Sequence, residues 1–278
     1  MSPGGTPSRQ RGMLRLRLPG APAVRHFVLE FLIVVAGILV ALGVDQWRSE
    51  RQELRIAEEH LADVTEEVRQ NLCTIHRIQS RAAARKFANL QAVLAFLNDP
   101  TAPVEDPAAL LDAFASSVQR SRPWLVDNQY QALQNSGDVR LVRRLLPDNA
   151  ISAVYEAPGV LYSQVDWLQG DYPQVVSGLI PAQLQNATNP LAGYAKGAQA
   201  PALVDDTDLN RAVEALRTRR AELLPLARNE AAVASANWFV LERLAMDHKT
   251  LLEMLAPWDR SGQPLDEMLK ECAATRRR

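Results

Sequence analysis

Residues 27–44 read FVLEFLIVVAGILVALGV, eighteen positions in which Glu30 is the one ionisable group. Carried through Trp47, the segment is 21 residues long. At ~1.5 Å rise per residue it covers the ~30 Å hydrocarbon core of a bilayer. A lone segment satisfies its backbone hydrogen bonds there only as an α-helix, so 27–47 is expected to be a transmembrane helix. Glu30 stands one turn inside its start. Its carboxylate either reaches the head groups, pairing with Arg25 or His26, or contacts a partner helix within the membrane. Trp47 suits the opposite interface, and the charged run RSERQELR follows at once.

The flanks give the segment a direction. Residues 1–26 hold Arg9, Arg11, Arg15, Arg17 and Arg25 and no acid, whereas the exit flank mixes Asp45, Arg48, Glu50, Arg51, Glu53 and Arg55. The basic tail 1–26 is therefore expected in the cytoplasm, and residues 48–273 on the far side of a bacterial inner membrane, periplasmic or extracellular. The net charge of -1 conceals this asymmetry. After residue 26 the chain is mildly acidic, which argues against nucleic acid as a partner, and the basic tail suits anionic lipid. The residues alone leave one rival open. Ala41-Leu42-Gly43 offers the small residues that a signal peptidase accepts after an apolar core, and cleavage there would release the body.

The stretch EFLIVVAGILVALGVDQW, with Glu30, Gly37, Ala41, Leu42 and Trp47, resembles the anchor of a family of bacterial single-pass membrane proteins of unknown function. Tyr130, Leu133, Ser136 and Gly137, in YQALQNSGDVRLV, are similar to that family's internal Tyr-x-x-Leu-x-x-Ser-Gly element. The resemblance implies a retained anchor and brings no activity with it. Gly43 and Asp45-Gln46 depart from the family's usual amide residues, which weakens what it implies about contacts at that interface.

Beyond the anchor the pattern stays helical. Leu54, Ala57, Leu61, Val64, Val68, Ile75, Ile78 and Ala82 recur at spacings near those of a heptad, with Asn71 the polar exception. This 54–82 seam fits either one stripe of an intramolecular bundle or a homodimeric coil. Asp106 and Pro107 open a helix over 107–120; Asp127 or Asn128 caps one that ends at Gly137; Pro147-Asp148 begin another that Pro158 should bend or break. Residues 171–204 read as short helices and loop. From Thr207 to Trp258 a second long helix is expected, bent at Pro225 and running antiparallel along the first, before a short helix over 265–273 and a disordered tail, 274–278. The fold class is thus all-α: one N-terminal transmembrane helix continuing into a long helix of an extracytoplasmic antiparallel helical bundle.

Signatures of chemistry are sparse. The sequence carries no HExxH, paired CxxC, Gly-rich phosphate loop or nucleophile elbow, so no catalytic residue, metal ligand or cofactor is expected. Cys73 and His76 share a helix face, yet two ligands do not close a zinc site. Cys73 and Cys272 are either a disulfide or two buried thiols. Glu58, Glu59, Asp63, Glu66 and Glu67 read as a solvated acidic face, and Tyr155, Tyr162, Trp167 and Tyr172 as core rather than a ligand groove. Gly37 and Ala41 present small residues one turn apart, suited to helix association. The function expected is a membrane-anchored scaffold or accessory subunit of a membrane complex without catalysis of its own. The alternative is an extracytoplasmic ligand-sensing bundle acting through a separate partner. Partner contacts or homo-oligomerisation would run through the membrane helix or the 54–82 seam.

Overall fold

A computed structural model of the chain describes residues 21–99, 101–147, 149–180 and 205–274. All regular structure among the described residues is helical, with no strand. Most of the basic tail (1–20), residues 181–204 of the expected loop region, Asp148 and residues 275–278 lie outside them.

The chain divides into two units, residues 1–55 and 56–278. Helix α1, Ala21–Arg77, begins in the first. There its apolar side chains point to every side: Val28, Phe31, Ile33, Leu39 and Val40 keep 48–67% of their surface. A helix apolar all round needs an apolar surrounding on all sides. It is a candidate membrane span by length and composition.

In the second unit the same helix carries a stripe. Ala57, Leu61, Val64, Val68, Leu72 and Ile75 are buried, with charged residues between them. A π-helical turn, Ile78–Ala83, then joins α1 to α2, Ala84–Asn98. The wider turn inserts a residue into the helical repeat. This corrects the expected seam: Ala82 is exposed, Ala83 is buried instead, and the stripe resumes at Lys86, Leu90, Val93 and Leu97.

Asp106 opens α3, Pro107–Ser117, by accepting the Ala109 N–H at 2.9 Å, with Pro107 in the first turn. Helix α4, Asn128–Ser136, ends at Gly137, whose φ of 78° is the left-handed position that favours glycine. A short α5, Val139–Val142, leads to α6, Ala150–Asp166. Helix α6 continues through Pro158, so of the expected bend or break the break does not occur. The missing donor costs one backbone bond, while Ile151, Val154, Tyr162 and Val165 bury on both sides of it. Helix α7, Tyr172–Ser177, follows.

Helix α8, Asp206–Thr218, and α9, Arg220–Leu255, replace the one long helix expected. The interruption falls at Arg219, not at Pro225, which lies inside α9. Starting α9 at Arg220 lets that guanidinium donate from Nε to the Leu97 carbonyl, 2.5 Å, and from Nη2 to that of Asn98, 3.3 Å. These are terminal carbonyls of α2, otherwise without partners inside that helix.

As the chain ascends α9, its partners descend α2 and α1. Arg220 meets Leu97, Glu230 meets Lys86, and Val240, Leu241 and Leu244 share a cluster with Ile75 and Ala83. Leu251 and Leu255 join Ala57–Leu72. Beyond α9, Asp259 accepts from Arg69 at 2.8 Å, and Gly262, at φ 62°, turns the chain into α10, Leu265–Ala274. Cys272 on α10 is disulfide-bonded to Cys73 on α1, with Cα atoms 5.4 Å apart.

Candidate functional site

In the first unit, Glu30, Gly37 and Ala41 are all exposed on α1. A Cβ added to Gly37 would meet nothing within 4 Å, so the small face at Gly37 and Ala41 is open. Trp47 lies under the Arg51 guanidinium, 4.1 Å from the ring centroid. The pair places a cation over an aromatic face where the apolar run ends.

In the second unit, buried polar side chains organise the core. Glu67, read as part of a solvated acidic face, is buried. Its carboxylate accepts the Gln129 N–H at 2.8 Å, the Tyr130 N–H at 3.4 Å and the Tyr155 hydroxyl at 2.6 Å. Gln129 and Tyr130 lie in the first turn of α4, whose neighbouring Asp127 makes no side-chain cap. Glu67 thus caps α4 from another helix, a negative charge at the positive end of the helix dipole. Burial and the Glu67 carboxylate push the Tyr155 phenol pKa well up, so it donates at any physiological pH. Tyr155 also stacks on Tyr130, centroids 4.6 Å apart and planes 11° from parallel.

Asn71, the polar exception in the apolar seam, holds the Val126 backbone twice. It accepts its N–H and donates to its carbonyl, both at 2.7 Å. Lys86 and Glu230 form a buried pair at 2.5 Å, and the Lys86 ammonium also donates to the Gln119 carbonyl at 3.0 Å. Each charge is compensated, as burial requires. His248 is buried with Nδ1 2.8 Å from the Leu244 carbonyl, and burial pushes its pKa down.

The residues weighed as chemistry do not converge. Cys73 is spent on Cys272, which removes it as a thiolate beside His76. Among the described residues no three His, Cys, Asp or Glu side chains are grouped to hold a metal ion. Tyr162 and Tyr172 are buried in separate clusters, Tyr155 flanks a third, and Trp167 is 89% exposed. No family model matches the chain, and neither a curated protein nor a solved structure does.

A concavity lies elsewhere in this unit, between α6 and α9. It is an open groove of about 910 Å³. Ala150, Ala153, Ala157 and Ala236 line it together with the larger Val160 and Phe239. Glu156, Gln164, Arg243 and Asp247 supply its polar groups. Periodicity missed this face because Val160 and Phe239 fall outside the buried stripes of their helices. Large apolar residues off-stripe were the signal available.

Proposed function

We propose that this chain is a single-pass membrane protein whose helical bundle stands outside the cytoplasm as a scaffold or accessory subunit of a membrane complex, without catalysis of its own. The observation that carries this reading is the anchor-length apolar segment of α1, exposed on all sides. Left in water it would present an apolar surface far larger than soluble proteins tolerate. The Cys73–Cys272 disulfide supports an oxidising location for the body, and the arginines of the tail support a cytoplasmic N-terminus. The opposed pairing of α9 with α1–α2 supports an antiparallel bundle. The resemblance of the anchor and of the Tyr130–Gly137 element to single-pass proteins supports retention of the anchor.

The scaffold role is tested by cross-linking in membranes, mild-detergent extraction and purification of the full chain. The expected result is a defined complex, with itself or with another membrane protein. A monomer with nothing attached contradicts it. A second reading, ligand sensing, is favoured by the α6–α9 groove, whose volume lies in the range of small-molecule sites. A ligand that raises the melting temperature, and loses that effect in Val160→Asp, would support it.

A further inference from the structure

Helix α10 is tied to α1 at both ends. Arg69 of α1 donates from Nη2 to the Gln263 carbonyl at 3.2 Å, just before α10 begins, and the Arg81 guanidinium, in the π-turn, donates to the Ala273 carbonyl at its end. Between those ties three of its side chains are buried, Met268, Leu269 and Cys272. At ten residues α10 is shorter than the roughly 12–15 that a helix needs to stand alone in water, so it is helical because it is docked.

One of the three buried side chains is half of the Cys73–Cys272 bond, which joins positions 199 residues apart. With the bond intact, Met268 and Leu269 are held against α1 at high local concentration. With it open, their burial and the two arginine ties stand alone against the entropy of ordering the helix. The rest of the cluster needs no part of α10: Leu61, Val68 and Leu72 of α1 share it with Tyr130, Ile151 and Leu251 from α4, α6 and α9.

The bond is also open to exchange from one side. Cys73 is partly exposed and Cys272 is buried, so a thiolate from a dithiol reaches the Cys73 sulfur. Attack there forms a mixed disulfide and expels Cys272 as the thiolate, at the end of α10 where Arg81 supplies positive charge. The dithiol's second sulfur then displaces Cys73. The protein gains two electrons and two protons as two thiols, and the dithiol becomes a disulfide.

We infer that the Cys73–Cys272 bond is a redox clasp, whose reduction by a dithiol releases α10 from α1 while the rest of the second unit stays folded. Release uncovers the part of the α1 stripe beneath Met268 and Leu269, so one bond governs whether that surface is open. The clasp is independent of any scaffold role.

The experiment follows amide hydrogen exchange in the full chain in mild detergent, before and after dithiothreitol, with the thiols counted by N-ethylmaleimide. The expected result is two maleimides gained without denaturant, exchange in 265–274 faster by about tenfold or more, and exchange in 84–98 and 220–255 unchanged. Cys272→Ala should show the fast exchange of 265–274 without dithiothreitol and no further response to it. Four outcomes overturn the inference: two free thiols in the chain as purified, a bond that opens only in denaturant, a reduced chain whose 265–274 exchange is unaltered, or acceleration throughout the second unit.

Discussion

Two stretches of α1 differ both in how many aliphatic residues they hold, 13 of 17 positions over 28–44 against 7 of 19 over 57–75, and in where they put them. From Val28 to Val44 the apolar side chains cover the whole circumference, and from Ala57 to Ile75 they occupy one stripe while charges fill the rest. The first pattern suits a surrounding that is apolar on all sides, the second a surrounding that is apolar on one. Content and angular distribution both separate the two stretches, and the angular distribution says which sides of each helix need an apolar surrounding.

A carboxylate placed in each stretch gives the sharpest contrast. Val68→Asp puts an unpaired charge into the stripe and should cost more than ~4 kcal/mol, abolishing the cooperative melt of the second unit. Val34→Asp should cost ~2.5–3.5 kcal/mol of membrane insertion and lower the membrane-bound fraction, leaving that melt unchanged. Fractionation followed by circular dichroism reads both. If Val34→Asp unfolds the body, the two stretches are not distinct in kind.

Where the stripe resumes on α2, the buried charge of Lys86 should behave as half of a compensated pair with Glu230. Lys86→Met leaves Glu230 buried alone and should destabilise by ~3–5 kcal/mol, whereas Lys86→Met with Glu230→Met should recover most of that loss. Denaturant titrations of the full chain in detergent measure both. A double variant no better than the single one would show that the pair is not coupled.

The stripe was largely legible in the sequence, because heptad-like spacing survives whatever packs against it. Its phase was lost at Ala82, since a π-turn adds a residue without any Gly or Pro to announce it. Asp106 and Gly137 were legible because their capping geometry is local. The α4 cap was not, as Glu67 lies some 60 residues away and looks like its solvated neighbours. Pro158 does not break α6, because one lost hydrogen bond is outweighed by burial on either side. The α6–α9 groove belongs to two helices far apart in sequence, so no window along the chain contains it.

Smaller effects sharpen the same picture. Glu67→Ala strands two α4 amides and the Tyr155 hydroxyl and should cost ~2–3 kcal/mol, while Glu67→Gln retains an acceptor and should cost about 1. Equal losses in the two variants would contradict the capping role. The smallest effect is a pH dependence. The folded pKa of His248 lies below its ordinary 6.5, so the unfolded chain binds the proton first. The stability this group contributes is complete above pH 6.5 and is lost as pH falls toward the folded pKa. The melting temperature should drop between pH 7 and pH 5, and His248→Leu should flatten that drop. An unaltered slope would assign it to other groups.

The central claim is that residues 27–47 hold the chain in a membrane with everything after them outside the cytoplasm. A reporter active only in the periplasm, fused to the C-terminus of the full chain in a Gram-negative host, tests it directly when activity, sedimentation and mass are read together. The account predicts an active fusion of full-length mass in the membrane pellet. An inactive fusion in that pellet, or a shortened one in the soluble fraction, would contradict it.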